Sequence, residues 1–171
     1  MPLPGCVDSE TFGIGALRSG KRLAIDVGSV RIGVASSDPA GVLATPLATV
    51  RRGRGDLDEL AALCAEHAAI EIVVGLPTSL SGKAGAAAKG AREFACDLAR
   101  RVEPVPVRLV DERFTTTIAH SALQSGGRDS RQRRGSVDMA AAALLLQSAL
   151  DAERLSGDPA GELVGAEAGG A

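Results

Sequence analysis

The sequence predicts an α/β protein in which a mixed five-stranded sheet is covered by helices on both faces. Three features predict it: a hairpin signature near the N-terminus, two continuous apolar runs of strand length, and stripes of apolar residues at helical spacing between and after them. Hairpin strands are antiparallel, whereas strands separated by helices need crossovers and are parallel, so the sheet must be mixed.

Residues 22–27 alternate and are rich in branched side chains; Gly28-Ser29 then turns the chain into residues 31–37, as in a tight hairpin. A third short strand fits residues 43–50. Asp56 with Glu59 three places on resembles a capping box, and Leu57, Leu60, Ala61 and Cys64 continue it as one apolar helical stripe. Residues 70–76 form a continuous apolar run, the pattern of a strand buried on both faces, which Pro77 ends. After a small-residue loop at 78–85, Ala87, Ala91, Phe94, Ala95 and Leu98 mark a second helix, and residues 105–110 a further buried strand. A short helix can begin at Thr115 or Thr116. Residues 126–135 read as a polar, arginine-rich loop leading to a last helix from Ser136 to about Leu155.

The 171 residues, 45% apolar and 23% charged, suit one globular domain with a sizeable core. That domain is expected over residues 21–155, between a flexible N-terminal arm (1–20) and a low-complexity C-terminal tail (156–171). The net charge of −2 hides an uneven distribution, since residues 21–154 carry a balance of +2. No apolar run is long enough for a membrane span and no leader-like N-terminus is visible, so a cytoplasmic protein without a membrane partner is expected. Cys6, Cys64 and Cys96 show no CxxC spacing; the latter two read as small core residues, and Cys6 could form an intermolecular disulfide. His67 and His120 have no ligand cluster around them and read as ordinary residues.

Acids stand at three places in otherwise apolar stretches. Asp26 interrupts the apolar run of a central strand, so it needs a partner or a task. The following turn could satisfy it. Asp111 and Glu112 end another buried strand, where ligands gather in open α/β sheets, although a hydrogen bond to a nearby amide or a pair with an arginine would also explain them. Asp138 falls in the first turn of the expected last helix, after a Ser136 cap, where the helix dipole favours any acid; the stretch around it is otherwise apolar. If the three converge, their mutual repulsion calls for a divalent cation, magnesium or manganese, of the kind that assists in-line phosphoryl displacement.

Four stretches, AIDVGSVRIGVASSD (24–38), VVGLPTSLSG (73–82), VRLVDERFTTTIA (107–119) and VDMAAAALLLQ (137–147), together resemble the YqgF family, also called RuvX, of Holliday-junction resolvases and pre-16S rRNA processing nucleases. The likeness spans roughly residues 22–151. It implies a ribonuclease H-like fold and a hydrolase of phosphodiester bonds, with Asp26, the acid of the DER motif and Asp138 as catalytic metal ligands; within that motif Glu112 is favoured over Asp111. Related RuvC resolvases carry a glutamate near the end of the fourth strand, where this chain has Gly75, which leaves the metal count open. A junction has two strands to cut, so the resemblance also implies a homodimer, but no exposed apolar stripe marks an interface.

Arg128, Arg131, Arg133 and Arg134 precede Asp138 closely enough to offer charge to a phosphate backbone, as do Arg31 beside Asp26 and Arg113 beside Glu112. Arg51, Arg52 and Arg54 form a second cluster that could equally be a solvated loop. With no Trp, no Tyr and three Phe, the chain lacks an aromatic platform for stacking single-stranded bases. Recognition of branched DNA or precursor rRNA by backbone and shape is expected, by an endonuclease or by a non-catalytic binding module of the same fold. The DVG turn also occurs in the first phosphate loop of sugar-kinase-like proteins, but the chain is too short for their two-domain cleft.

Overall fold

The computed structural model describes residues 18–77, 84–112 and 130–165. Its elements are β1 (Arg22–Val27), β2 (Arg31–Ser37), β3 (Ala44–Arg51), α1 (Asp56–Glu66), β4 (Glu71–Leu76), α2 (Ala84–Val102), β5 (Val107–Asp111), α3 (Ser130–Ser156) and β6 (Glu162–Leu163). The sheet order is β3-β2-β1-β4-β5-β6. β1 pairs with β2 and β2 with β3 antiparallel, β1 with β4 and β4 with β5 in parallel, and β5 with β6 antiparallel. The sheet is mixed, as the sequence predicts, with six strands among the described residues rather than five. The sixth is a two-residue edge strand in a segment whose low complexity hides it; Gly161 turns the chain at φ 84° just before it.

Strand alternation sorts the side chains onto two faces. Leu23, Ile25, Ile72, Val74, Val107 and Leu109 point to one face and join Leu60, Cys64, Phe94 and Leu98 of α1 and α2 in the larger core. Ala24, Ala35 and Val73 point to the other, where Ala142, Leu145, Leu146, Ala149 and Leu150 of α3 cover them. Small residues on this second face let α3 approach closely. At Gly33 the approach is closest: a Cβ there would overlap the Asp138 carbonyl and lie 2.9 Å from the Met139 nitrogen.

Several sequence expectations need correction. α3 begins at Ser130, so residues 130–135 are helical instead of a loop, and Gly135 lies inside the helix. Asp138 is therefore in its third turn, beyond reach of the cap and dipole effects of a helix start. The packing that overrides the local loop signal includes the Thr49 hydroxyl, which donates to the Gly135 carbonyl at 3.3 Å. α1 is capped by Gly55 rather than by a capping box: Asp56 is its first residue, and its carboxylate accepts from the Gly53 amide (3.1 Å) and Arg52 (3.3 Å). Cys64 is buried as expected but Cys96 is only half-buried. Cys6, His120 and the helix start at Thr115 or Thr116 lie outside the described residues.

At the end of the sheet opposite the strand ends that carry Asp26 and Asp111 lies a knot of charges. Glu71, 2% exposed, accepts from Arg18 (3.0 Å) and Arg108 (2.9 Å), while Glu153, 5% exposed, accepts from Arg18 (2.9 Å) and Arg22 (3.4 Å). Arg18 thus ties the expected N-terminal arm to β4 and α3. Sequence reading missed this knot because its members are far apart in the chain.

Candidate active site

The C-terminal ends of β1 and β5 lie at one end of the sheet, together with the start of β2 and the end of β3. Asp26 is the penultimate residue of β1 and shares the α3 face with Ala24. Its strand partner is Gly33, the glycine pressed against the Asp138 backbone, so the absence of a side chain at 33 is what brings Asp138 down onto β1. A glycine inside a strand pattern is the sequence signal for such an approach.

Glu112 follows β5 and hydrogen-bonds Asp26. Burial raises the Glu112 carboxyl to about 7, and the charges of Asp26 and then Asp111 add to the shift. Asp26 is also raised, by burial first and by the Asp138 charge, against the opposing effect of the Glu112 hydrogen bond. The pair therefore holds a proton near neutrality, with Glu112 donating to the Asp26 carboxylate. Asp138 stands beside it, 27% exposed, and accepts from the Arg31 Nε at 3.3 Å. Among the described residues no three His, Cys, Asp or Glu side chains form a ready metal cage. Two of the three expected acids touch, and the third is engaged by an arginine.

Alternation separates the two acids of the DER motif. Leu109 faces the α1–α2 core and Val110 packs against the α3 cluster, so by strand alternation Asp111 faces away from Asp26, and its charge acts on Glu112. Of the basic residues, Arg31 lies in the site, and Arg134 is exposed one turn before Asp138 on α3. Arg113 and Arg128 lie outside the described residues, as do the side chains of Arg131 and Arg133, whose backbone is in α3.

The family model described as Holliday junction resolvase, RuvX, matches residues 20–152. The chain belongs to the RuvX family. Family members with the provisional name pre-16S rRNA nuclease include one from Thermobifida fusca, 56% identical over 155 residues, and one from a Nocardioides species, 55% identical over 153; each alignment covers 86% of this chain and 98% of the relative. Among solved structures, T. thermophilus RuvC in complex with a Holliday junction substrate superposes with a TM-score of 0.45 at 17% identity, covering 78% of this chain and 94% of that one, too distant a likeness to argue from. No helix among the described residues is long and apolar enough to cross a membrane.

Proposed function

We propose that this RuvX-family chain is a divalent-metal-dependent endonuclease of structured nucleic acid that works in the cytoplasm, with precursor 16S rRNA and Holliday-junction DNA as its candidate substrates. The hydrogen-bonded Asp26–Glu112 pair, with Asp138 close enough to act on it, carries the reading. Asp26 and Glu112 are raised in proton affinity by burial and by neighbouring negative charge, and carboxylates so placed are hard oxygen donors that suit magnesium or manganese better than zinc. Bound by Asp26, Glu112 and Asp138, the ion would activate water and neutralise charge on the scissile phosphate.

Two changes in the chain's own residues prepare that state. Glu112 must give up its proton, which its value of about 7 allows at physiological pH. Asp138 must be released by Arg31, and the guanidinium set free is then placed to meet a phosphate oxygen beside the carboxylates. Arg31 thus keeps the acid from facing its neighbours uncompensated and is available to the substrate once that acid is engaged elsewhere.

The test is a side-by-side cleavage assay on precursor rRNA and a four-way DNA junction, with magnesium, with manganese and with chelator. Wild type should cut at least one substrate only with metal. Asp26→Asn should remove cleavage while leaving the melting temperature and nucleic-acid binding largely intact. Binding without any metal-dependent product from wild type would instead identify a non-catalytic binding module, a reading favoured by the Arg31–Asp138 pair, which engages one of the three acids.

A further inference from the structure

We propose that Arg51 and Arg134 form a phosphate clamp on the β3 side of the carboxylates, a reading that rests on the nuclease function proposed above. Among the described side chains, every arginine other than Arg51, Arg54 and Arg134 sits in an ion pair. These three are exposed and form none with a described residue. An arginine without an internal counterion gives up little to bind a phosphate, and all three lie at the same end of the molecule as Asp26.

Strand register decides which of them faces the site. Arg51 is paired with Arg31, and Thr49 with Gly33. Directly paired residues share a face, and that face is the one bearing α3, because Gly33 meets the Asp138 backbone and Thr49 bonds to Gly135. Arg51 therefore lies on the same face as Arg31 and Asp26. Its neighbour Arg52 belongs to the opposite side, where it pairs with Asp56 at 3.3 Å and lies 4.6 Å from the centre of the Phe94 ring. Arg54, in the turn before α1, has no register to place it.

The Thr49–Gly135 bond also sets Arg134 beside this edge, since Arg134 precedes Gly135 and Arg51 follows Thr49 by two residues on one face. Adjacent strands are ~4.8 Å apart, so the β3 edge is about 10 Å from β1. A backbone crossing the sheet end from β3 over β2 would meet Arg51 and Arg134 before the acids. Cations there offset the repulsion that Asp26, Glu112, Asp138 and Asp111 exert on an incoming phosphate.

Binding is measured with a labelled four-way DNA junction and a labelled RNA hairpin, with calcium in place of magnesium, over a series of salt concentrations. Arg51→Gln and Arg134→Gln should each weaken binding about tenfold at 0.1 M salt and lower the log–log salt slope by about 0.9 on DNA; the double variant should lose about two units of slope. Arg100→Gln, on α2 at an ion pair with Asp97, should bind as wild type does. Wild-type affinity and slope in the double variant overturn the clamp and leave the nuclease reading standing. An equal loss in Arg100→Gln also overturns it, since the effect would then follow total charge. Failure of wild type to bind either probe overturns both readings together.

Discussion

Gly75 and Glu112 compete for one space: a Cβ on Gly75 would collide with the Oε1 of Glu112 and lie 3.1 Å from its Cγ and Cδ. Gly75 is the penultimate residue of β4, and the carboxyl that follows β5 fills the space its missing side chain leaves, against Asp26.

Gly75→Ala should therefore separate activity from stability. The group in the way is the far end of a flexible side chain, so Glu112 can swing aside at small cost to the fold. The melting temperature should stay within about 5 °C, a shift of roughly 1 kcal/mol, while metal-dependent cleavage falls about 10- to 100-fold because the carboxyl is displaced from Asp26. Unchanged cleavage would show that the position of Glu112 is unimportant.

Gly33→Ala should behave in the opposite way. The new methyl meets the backbone of Asp138 and Met139, and a helix backbone cannot step aside without repacking the whole α3 face. A loss of about 3 kcal/mol is expected in denaturant unfolding, accompanied by loss of cleavage. A variant as stable as wild type would mean that α3 does not rest on β2 as described.

Glu112 makes the metal-free protein sensitive to pH. Its folded value of about 7 lies above its ordinary value of 4.5, so its contribution to stability is complete below about 4.5 and disappears as the pH rises through about 7. Melting curves of wild type should decline over that window, and those of Glu112→Gln should decline less. Because a cation must displace the shared proton, the stabilisation given by manganese should grow over the same window. A melting profile identical in the two proteins would remove the buried proton from the account.

The knot at the other end of the sheet has the opposite sign. Hydrogen bonding by Arg18, followed by the charges of Arg18, Arg22 and Arg108, holds Glu153 below its ordinary range, so its contribution is present at neutral pH and lost as the pH falls through the depressed value. Arg18→Met should lower stability at neutral pH and reduce the acid-side loss, and Glu71→Gln should cost about 3 kcal/mol by removing the buried negative charge that Arg18 and Arg108 share. Chemical unfolding at neutral and acid pH checks both.

By itself the sequence determined the strand and helix order through β5, because hydrophobic period and turn residues are local properties: the hairpin at Gly28-Ser29 and the buried run ending at Leu76 need no distant partner to be read. It also marked Asp26, the adjacent Asp111 and Glu112, and Asp138, since a carboxylate in an apolar stretch is an anomaly wherever it folds. Only the tertiary structure decided that Asp111 faces away while Glu112 touches Asp26, that α3 extends back through the arginine-rich segment to Ser130, and that Gly33 and Gly75 make room for the acids around them. Each of these depends on which strand lies beside which and on what a side chain meets across the sheet, and no window of neighbouring residues contains that information.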